Sequence, residues 1–110
     1  MVDQVMMVYV TASSANEAEA LATTMVSARL AACANLLGTI ESVYWWEGKV
    51  ERGGEVALLF KTTASRLTEL TEAIKRQHSY TTPCVVAWRI DEGNPDFLNW
   101  VREETGLGSL

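Results

Sequence analysis

Residues 35–50 form an extended segment that is long for a chain of 110 residues. The aromatic range Val43–Trp46 lies at its centre, and a single strand of this length spans about 50 Å at roughly 3.3 Å per residue. A compact domain of this size has a radius of gyration near 13 Å, and hence a diameter of roughly 35 Å. The hairpin that this segment opens must therefore bend sharply, for example at Gly38, or project beyond its own core.

Two tryptophans stand side by side in this segment. Adjacent residues of a strand face opposite sides, so Trp45 and Trp46 give each face of the hairpin an indole. An aromatic side chain buries roughly 150–250 Å² when it is covered, and a lone two-stranded ribbon is marginally stable in water. One alternative places one indole in the chain's own core and leaves the other exposed. We expect instead that neighbouring subunits cover both, so that Trp45 and Trp46 lie in the interface of a closed homo-oligomer.

The segments around this hairpin alternate between strand and helix patterns. Val5–Val10 is a continuous apolar run typical of a strand covered on both faces, and Ser14 followed by Glu17 matches the capping box that starts a helix. Asn94 followed by Pro95 predicts another helix start. The predicted elements are, in order, strand Val5–Val10, helix Ser14–Ala31, strand 35–50, a turn at Gly48 and Gly53–Gly54, strand Glu55–Thr62, a helix ending near His78, strand Cys84–Ile90 and a helix opened by Asn94–Asp96.

This order is that of an α+β, ferredoxin-like fold. A βαββαβ arrangement with an additional C-terminal helix is the split βαβ motif, in which helices cover one face of a four-stranded antiparallel sheet. The length of the chain fits one domain, which we place at residues 1–110.

The charge of the chain argues against several classes of partner. Fourteen acidic against nine basic side chains give a formal net charge of -5, and an acidic surface repels nucleic acid and anionic membranes. The longest apolar run, Val5–Val10, is far shorter than the roughly 20 residues of a membrane span. The first residues, Met1–Gln4, lack the features of a signal peptide, and two cysteines form at most one bridge. We therefore expect a cytoplasmic protein with reduced thiols and no nucleic-acid or membrane partner.

Catalytic motifs are absent from the sequence. It contains no nucleophile-elbow, zinc-protease, phosphate-loop or calcium-loop pattern, and its single histidine excludes a metal box built on two histidines. The acidic residues are scattered over predicted helices and turns, and their spacing pairs no acid with a base. The sequence therefore predicts a protein that is not an enzyme.

Three residues are nevertheless candidates for binding, and a fourth, Cys84, is weighed beside them. His78 is either a metal ligand or a helix C-terminal residue that stabilises the last carbonyls. Cys33 is either a soft ligand for copper(I) or zinc or a small buried hydrophobe. Lys61, near the end of an apolar strand, either reaches an anion in a cleft or is an exposed strand-end lysine. Cys84 starts the last apolar strand, and from this position alone we expect it to fill the core.

Several motifs together resemble one protein family. They are Arg29–Asn35 (RLAACAN), Ser42–Gly48 (SVYWWEG), Glu55–Thr63 (EVALLFKTT), His78–Pro83 (HSYTTP) and Phe97–Trp100 (FLNW). In this order and register they are similar to the CutA divalent-cation-tolerance family over essentially the whole chain. The resemblance implies a ferredoxin-like subunit, an intertwined homotrimer, a cytoplasmic location and a role in metal tolerance, with copper or another divalent cation as the ion.

The resemblance also implies a metal site, from which this sequence departs. The copper sites proposed for the family use a Cys at the end of the first strand and a His pair before a Pro-Tyr motif. Here Val10 stands at the first place, and Gln77 precedes His78 at the second. Cys84 stands where the family has a Glu after Thr-Pro. A site built from His78 therefore needs a further ligand, from Cys84, Cys33 or a neighbouring chain.

Three hypotheses about function follow. The first is a non-enzymatic, trimeric metal-binding protein with the histidine and the two cysteines as candidate ligands. The second rests on the family's architectural kinship with PII-type signalling proteins: a regulator that senses a small anionic effector in an intersubunit cleft lined by Lys61, Tyr44 and Tyr80. The third is a trimeric scaffold for an unknown partner.

Overall fold

The computed structural model describes residues 2–106, in which four strands and three helices follow the order βαββαβα. The strands form one antiparallel sheet in the order β2-β3-β1-β4, which confirms the predicted split βαβ fold. Residue 1 and residues 107–110 of the predicted domain lie outside the described residues. The elements are β1 Val5–Ala12, α1 Ala15–Ser27, β2 Cys33–Trp46, β3 Lys49–Thr63, α2 Ala64–Gln77, β4 Val85–Arg89 and α3 Pro95–Thr105.

The main core lies between one face of the sheet and helices α1 and α2. In the register of β1 and β3, Val8 lies opposite Phe60 and Val10 opposite Leu58, and all four side chains are fully buried. Successive strand residues face opposite sides, so these even-numbered positions form one apolar face. The two helices cover that face with the buried side chains Ala18, Leu21, Met25, Leu70 and Ile74.

Helix α1 is shorter than predicted. It ends at Ser27 and not at Ala31, because Arg29 adopts a left-handed conformation with φ 59°. The backbone N–H groups of Leu30 and Ala31 both donate to the carbonyl of Met25, which closes the helix end. The following residues run directly into β2.

A capping box has two hydrogen bonds, and the start of α1 forms only one of them as predicted. The Ser14 hydroxyl accepts from the Glu17 N–H at 3.1 Å, as in a capping box. The Glu17 carboxylate, however, accepts from the N–H of Ser13 at 2.9 Å. That shift of one residue leaves the carboxylate beside the end of the sheet.

The hairpin turn lies at Glu47–Gly48, where both residues have positive φ values of 48° and 78°. A two-residue turn with this backbone matches the twist of the two strands. The Gly53–Gly54 pair, which was expected to share in the turn, instead lies inside β3. A register shift between Leu36 and Gly38, with Gly38 at φ 108°, marks an irregularity in β2 near the predicted bend.

Half of the hairpin projects beyond the rest of the sheet. Strand β1 pairs with β3 only from Val56 to Thr63, so residues 49–55 and the facing part of β2 have no third strand from residues 2–106. Seven such residues extend about 23 Å at roughly 3.3 Å each, and the molecule measures 46 × 26 × 22 Å. This projecting half of the hairpin, residues 40–55, is the arm. On it Trp45 is 75% exposed and Trp46 is 58% exposed. Neither indole lies in the chain's own core.

The opposite face of the sheet is open along β4. Strand β4 begins at Val85, one residue later than predicted, and Cys84 is exposed before it. The expectation that Cys84 fills the core was therefore wrong. Val86 and Trp88 are about half exposed, and their register with Tyr9 and Met7 of β1 places them on the face that points away from α1 and α2.

Helix α3 closes one end of that open face. It starts as predicted, with the Asn94 side chain accepting from the Asp96 N–H at 3.0 Å and a proline in the first turn. Its buried Val101 packs with Val5 and Ala32. Val5 is an odd-numbered residue of β1, so it faces away from α1 and α2. Within residues 2–106, no helix combines the length and the apolar character that crossing a bilayer requires.

Candidate functional site at the end of the sheet

Three segments meet at the end of the sheet where the arm begins. They are the β1–α1 connection, the segment 78–84 between α2 and β4, and the base of the arm around Glu55. Glu55 immediately precedes Val56, which is the first residue of β3 that pairs with β1. Because the fold places these chain segments side by side, polar groups far apart in sequence come into contact here.

Glu17 is the most heavily hydrogen-bonded carboxylate of this end. It accepts from the N–H and hydroxyl of Ser13 at 2.9 and 2.8 Å, and from the N–H and hydroxyl of Ser79 at 2.7 and 2.9 Å. Burial opposes its ionisation, but these four bonds outweigh burial and lower the pKa of Glu17 from 4.5 to about 2. Glu17 is therefore an anion throughout the physiological pH range, and it joins α1 to the segment 78–84.

Both ring nitrogens of His78 have partners within the chain. Nδ1 accepts from the Tyr80 N–H at 3.0 Å, and Nε2 lies 2.8 Å from the carbonyl oxygen of Thr11. Since Nδ1 accepts, the proton of the neutral ring belongs on Nε2, which donates to that carbonyl. The side chain is completely buried, and Nδ1 lies 3.9 Å from Glu17 Oε2. A metal ion could bind this imidazole only after one of these two hydrogen bonds is lost.

His78 also does not play the structural role predicted as the alternative to metal binding, which was to stabilise the last carbonyls of α2. The residue is the C-cap of α2, and its backbone N–H donates to the carbonyl of Ile74 at 2.9 Å. Its ring, however, does not stabilise the last carbonyls of α2. It bonds instead to Thr11 of β1, so it ties the end of the helix to the sheet.

The Glu55 carboxylate binds two hydroxyl groups from different parts of the chain. The Tyr80 hydroxyl donates to Oε1 at 3.0 Å, and the Ser42 hydroxyl donates to Oε2 at 2.5 Å. Burial, the bond to Glu55 and the charges of Glu55 and Glu17 raise the pKa of Tyr80 to about 12. The phenol is therefore protonated and acts as a donor to the carboxylate.

Cys84 is an exposed thiol at the same end of the sheet as this carboxylate. Partial burial, and then the negative charge of Glu55, raise the pKa of Cys84 above 9.0. The thiol is protonated at neutral pH, so a metal ion that binds it must displace the proton. A soft sulfur and a carboxylate thus lie at the same end of the sheet.

Cys33 lies at the other end of the sheet. It is the half-buried first residue of β2 and pairs with Lys61 of β3. Burial raises the pKa of its thiol, and Lys61 opposes that shift. Lys61 and Glu55 are six residues apart on one strand, about 20 Å at 3.3 Å per residue. The fold therefore places His78 and Cys84 at one end of the sheet and Cys33 at the other.

The three residues expected to line a cleft for an anion are also divided within one chain. The Lys61 amine donates to Asn35 Oδ1 at 2.6 Å and lies 5.8 Å from the centre of the Phe97 ring. Tyr80 lies at the Glu55 end, and Tyr44 lies on the arm, opposite Glu51 in the register of β2 and β3. The Tyr80 hydroxyl is bonded to the Glu55 carboxylate, a poor match for an anionic ligand.

Residues 2–106 contain no group of three or more His, Cys, Asp or Glu side chains arranged to hold a metal ion. A metal ion at the Glu55 end would therefore take only part of its ligands from one chain.

Sequence reasoning missed Glu17, Ser79 and Glu55 as parts of this site. Glu17 was noticed for its spacing from Ser14, which is a helix-start signal. Its bonds to Ser79 span 62 positions of the chain, and no local pattern announces them.

Known proteins similar to this chain share one description. The family model "CutA1 divalent ion tolerance protein" matches residues 6–104. A divalent-cation tolerance protein CutA from Archaeoglobus fulgidus is 43% identical over 87% of this chain and 93% of its own length. A chloroplastic Protein CutA 1 from Oryza sativa subsp. japonica is 45% identical over 89% of this chain, which spans 55% of that longer protein.

A solved structure gives the same result for the fold. The protein described as the periplasmic divalent cation tolerance protein CutA from Archaeoglobus fulgidus superposes with a TM-score of 0.90 at 40% identity. The match covers 93% of this chain and 99% of that structure. The two proteins therefore share the fold over most of this chain.

Proposed function

This chain belongs to the CutA1 divalent ion tolerance family, and we propose that it serves cation tolerance by binding a metal ion as a homotrimer, without catalysing a reaction. The observation that carries the metal proposal is the exposed Cys84 thiol at the end of the sheet where the negative charge of Glu55 acts on it. Cys84 is exposed, Glu55 is half-buried, and neither residue belongs to the hydrophobic core.

We propose copper as the ion. Thiolate ligands favour copper(I), and copper lies at the top of the affinity order of divalent first-row metals. Cys84 and Glu55 are the donors that need the least rearrangement, whereas His78 would have to give up a hydrogen bond. We propose no role for Cys33 at this site, because it lies at the opposite end of the sheet. The remaining ligands come from a neighbouring chain or from water.

The homotrimer is supported by the apolar surface that one chain leaves uncovered. Trp45 and Trp46 on the arm, and Val86 and Trp88 on the open face, are all about half exposed or more. Exposed apolar surface of this extent is typical of an interaction site. Strands β2 and β4 are the two edges of the sheet, and pairing between chains would satisfy their free backbone groups.

A non-enzymatic role is supported by the engagement of the titratable groups. Glu17 receives four hydrogen bonds, both nitrogens of His78 are bonded, and Tyr80 is held protonated by Glu55. A general base needs a free acceptor within reach of a substrate proton. A cytoplasmic location is supported by the two free thiols, since a reducing compartment keeps such groups unpaired.

The test is a titration of the protein with copper(I), copper(II) and zinc, monitored by calorimetry. We expect copper(I) to bind with a dissociation constant below about 10 µM, which is about -7 kcal/mol. Cys84→Ser should weaken this binding at least about tenfold, while the matched control Cys33→Ser should leave it unchanged. Weaker binding of all three ions would rule out the metal proposal, and equal loss in both variants would rule out the assignment to Cys84.

A further inference from the structure

We propose that Glu17 is a positioning residue, which holds the segment 78–84 against α1 so that the Tyr80 hydroxyl reaches the Glu55 carboxylate. The inference deepens the proposed function and rests on it in one respect, because Glu55 is a proposed metal ligand. The hydrogen-bonded chain itself does not depend on any metal.

Ser79 attaches the segment 78–84 to the Glu17 carboxylate. Ser79 gives both its N–H and its hydroxyl to the Glu17 carboxylate, at 2.7 and 2.9 Å. Two charge-assisted bonds from one residue fix both its position and its orientation. Ser13 supplies two further bonds from the other side, so the carboxylate itself cannot turn away.

Tyr80 connects Ser79 to the Glu55 carboxylate. The next residue, Tyr80, donates its N–H to His78 Nδ1 at 3.0 Å, and its ring lies 4.7 Å from the imidazole. From this fixed backbone its hydroxyl reaches Glu55 Oε1 at 3.0 Å. Glu17 therefore acts on Glu55 through Ser79 and Tyr80, without contacting it.

The two donors to Glu55 distinguish a positioning role of Glu17 from a general contribution to the stability of the fold. Glu55 has a second donor, Ser42, which binds Oε2 from β2. Ser42 lies on the strand paired with β3, so its hydroxyl is positioned by the hairpin and not by the segment 78–84. Loss of Glu17 should therefore release the Tyr80 donor and leave the Ser42 donor in place.

The consequence for the proposed site is a carboxylate whose orientation depends on a residue of α1. Hydrogen bonds to a ligating carboxylate hold it in the binding geometry, and their removal typically costs ten- to a hundredfold in metal affinity. Glu17→Gln should therefore weaken copper(I) binding about tenfold, although Glu17 is not a ligand.

The metal-free test is a double-mutant cycle on the folding equilibrium, measured by urea unfolding. In the wild-type background, Tyr80→Phe should lower the folding constant about tenfold, as expected for a hydrogen bond to a charged group. In the Glu17→Gln background the same change should cost less than about twofold. The matched control Ser42→Ala should cost the same in both backgrounds.

A spectroscopic readout accompanies the cycle. In Glu17→Gln, the backbone amide of Tyr80 should exchange with solvent at least about tenfold faster by NMR, while amides of β3 paired with β1 keep their rates. If Glu17→Gln does not fold, Ser79→Ala removes one of the two bonds and should give a smaller change in the same direction. An equal cost of Tyr80→Phe in both backgrounds would overturn the proposal, as would a parallel loss of the Ser42 effect.

The two proposals can fail separately. If Glu17 and Tyr80 are coupled but the protein does not bind copper, the positioning role is supported and the metal proposal is refuted. Copper binding without coupling between Glu17 and Tyr80 does the reverse. If Glu17→Gln shows coupling and yet binds copper as tightly as the wild type, the link between positioning and the site is wrong.

Discussion

Replacing Trp45 with alanine should dissociate the proposed homotrimer. Trp45 is 75% exposed in the single chain, which corresponds to about 190 Å² of a side chain of about 250 Å². At about 25 cal/mol per Å², covering that area contributes about 5 kcal/mol per subunit, and truncation of a buried Trp costs about 3–5 kcal/mol. We expect Trp45→Ala to raise the apparent dissociation constant at least about a hundredfold for each subunit.

The assay is sedimentation over a dilution series at micromolar concentrations. The wild type should sediment at about 36 kDa, three times the chain mass of 12.1 kDa, and Trp45→Ala should shift towards the single chain. Val2→Ala is the matched control, because Val2 is 74% exposed and lies outside the arm. A wild type that sediments as one chain, or a Trp45→Ala protein with the dissociation profile of the wild type, would refute the reasoning.

Three further predictions concern the stability of the fold. The pKa of Glu17 is lowered in the folded protein, so its contribution is complete above about pH 4.5 and is lost as the pH falls towards about 2; urea unfolding of Glu17→Gln should show a flatter dependence over that range. Gly48→Ala should lower the free energy of unfolding by about 1 kcal/mol, because residue 48 has φ 78°. Gly54→Ala, with open space around residue 54, should not cause this loss, and thermal unfolding of both variants measures the difference. Phe60→Ala in the fully buried core should cost about 3–5 kcal/mol, and a loss below about 1 kcal/mol would contradict the core assignment.

The order of the elements was predictable because each one carries its own local signal. Apolar runs such as Val5–Val10, the Ser14 cap and the Asn94–Asp96 helix start depend on residues within a few positions of each other. The length of the hairpin was also readable, and its projection follows from the span of its strands. These features need no knowledge of the other segments.

The errors arose where a pairing partner decides the outcome. Gly53–Gly54 has the composition of a turn, but the register of β2 and β3 places Tyr44 and Trp46 opposite Glu51 and Lys49, and the turn moves to Glu47–Gly48. The apolar run after Cys84 looked buried, yet it forms an edge strand on the open face.

The candidate site was predictable only in part for the same reason. His78 and Cys84 were selected by residue type, and both lie at the Glu55 end of the sheet. Whether the imidazole is free depends on Thr11, which is 67 positions away. Such a contact is created by the topology of the sheet, and hydrophobic periodicity carries no information about it.

The unsupported length of the arm has a kinetic consequence. The core between β1, α1 and α2 is complete within one chain, so its collapse is a unimolecular step. In the described part of the chain the arm pairs with no third strand, and a two-stranded ribbon of this kind is marginal in water. In the proposed homotrimer its two strands become rigid only on encounter with another chain, and the last phase of refolding speeds up as the protein is concentrated.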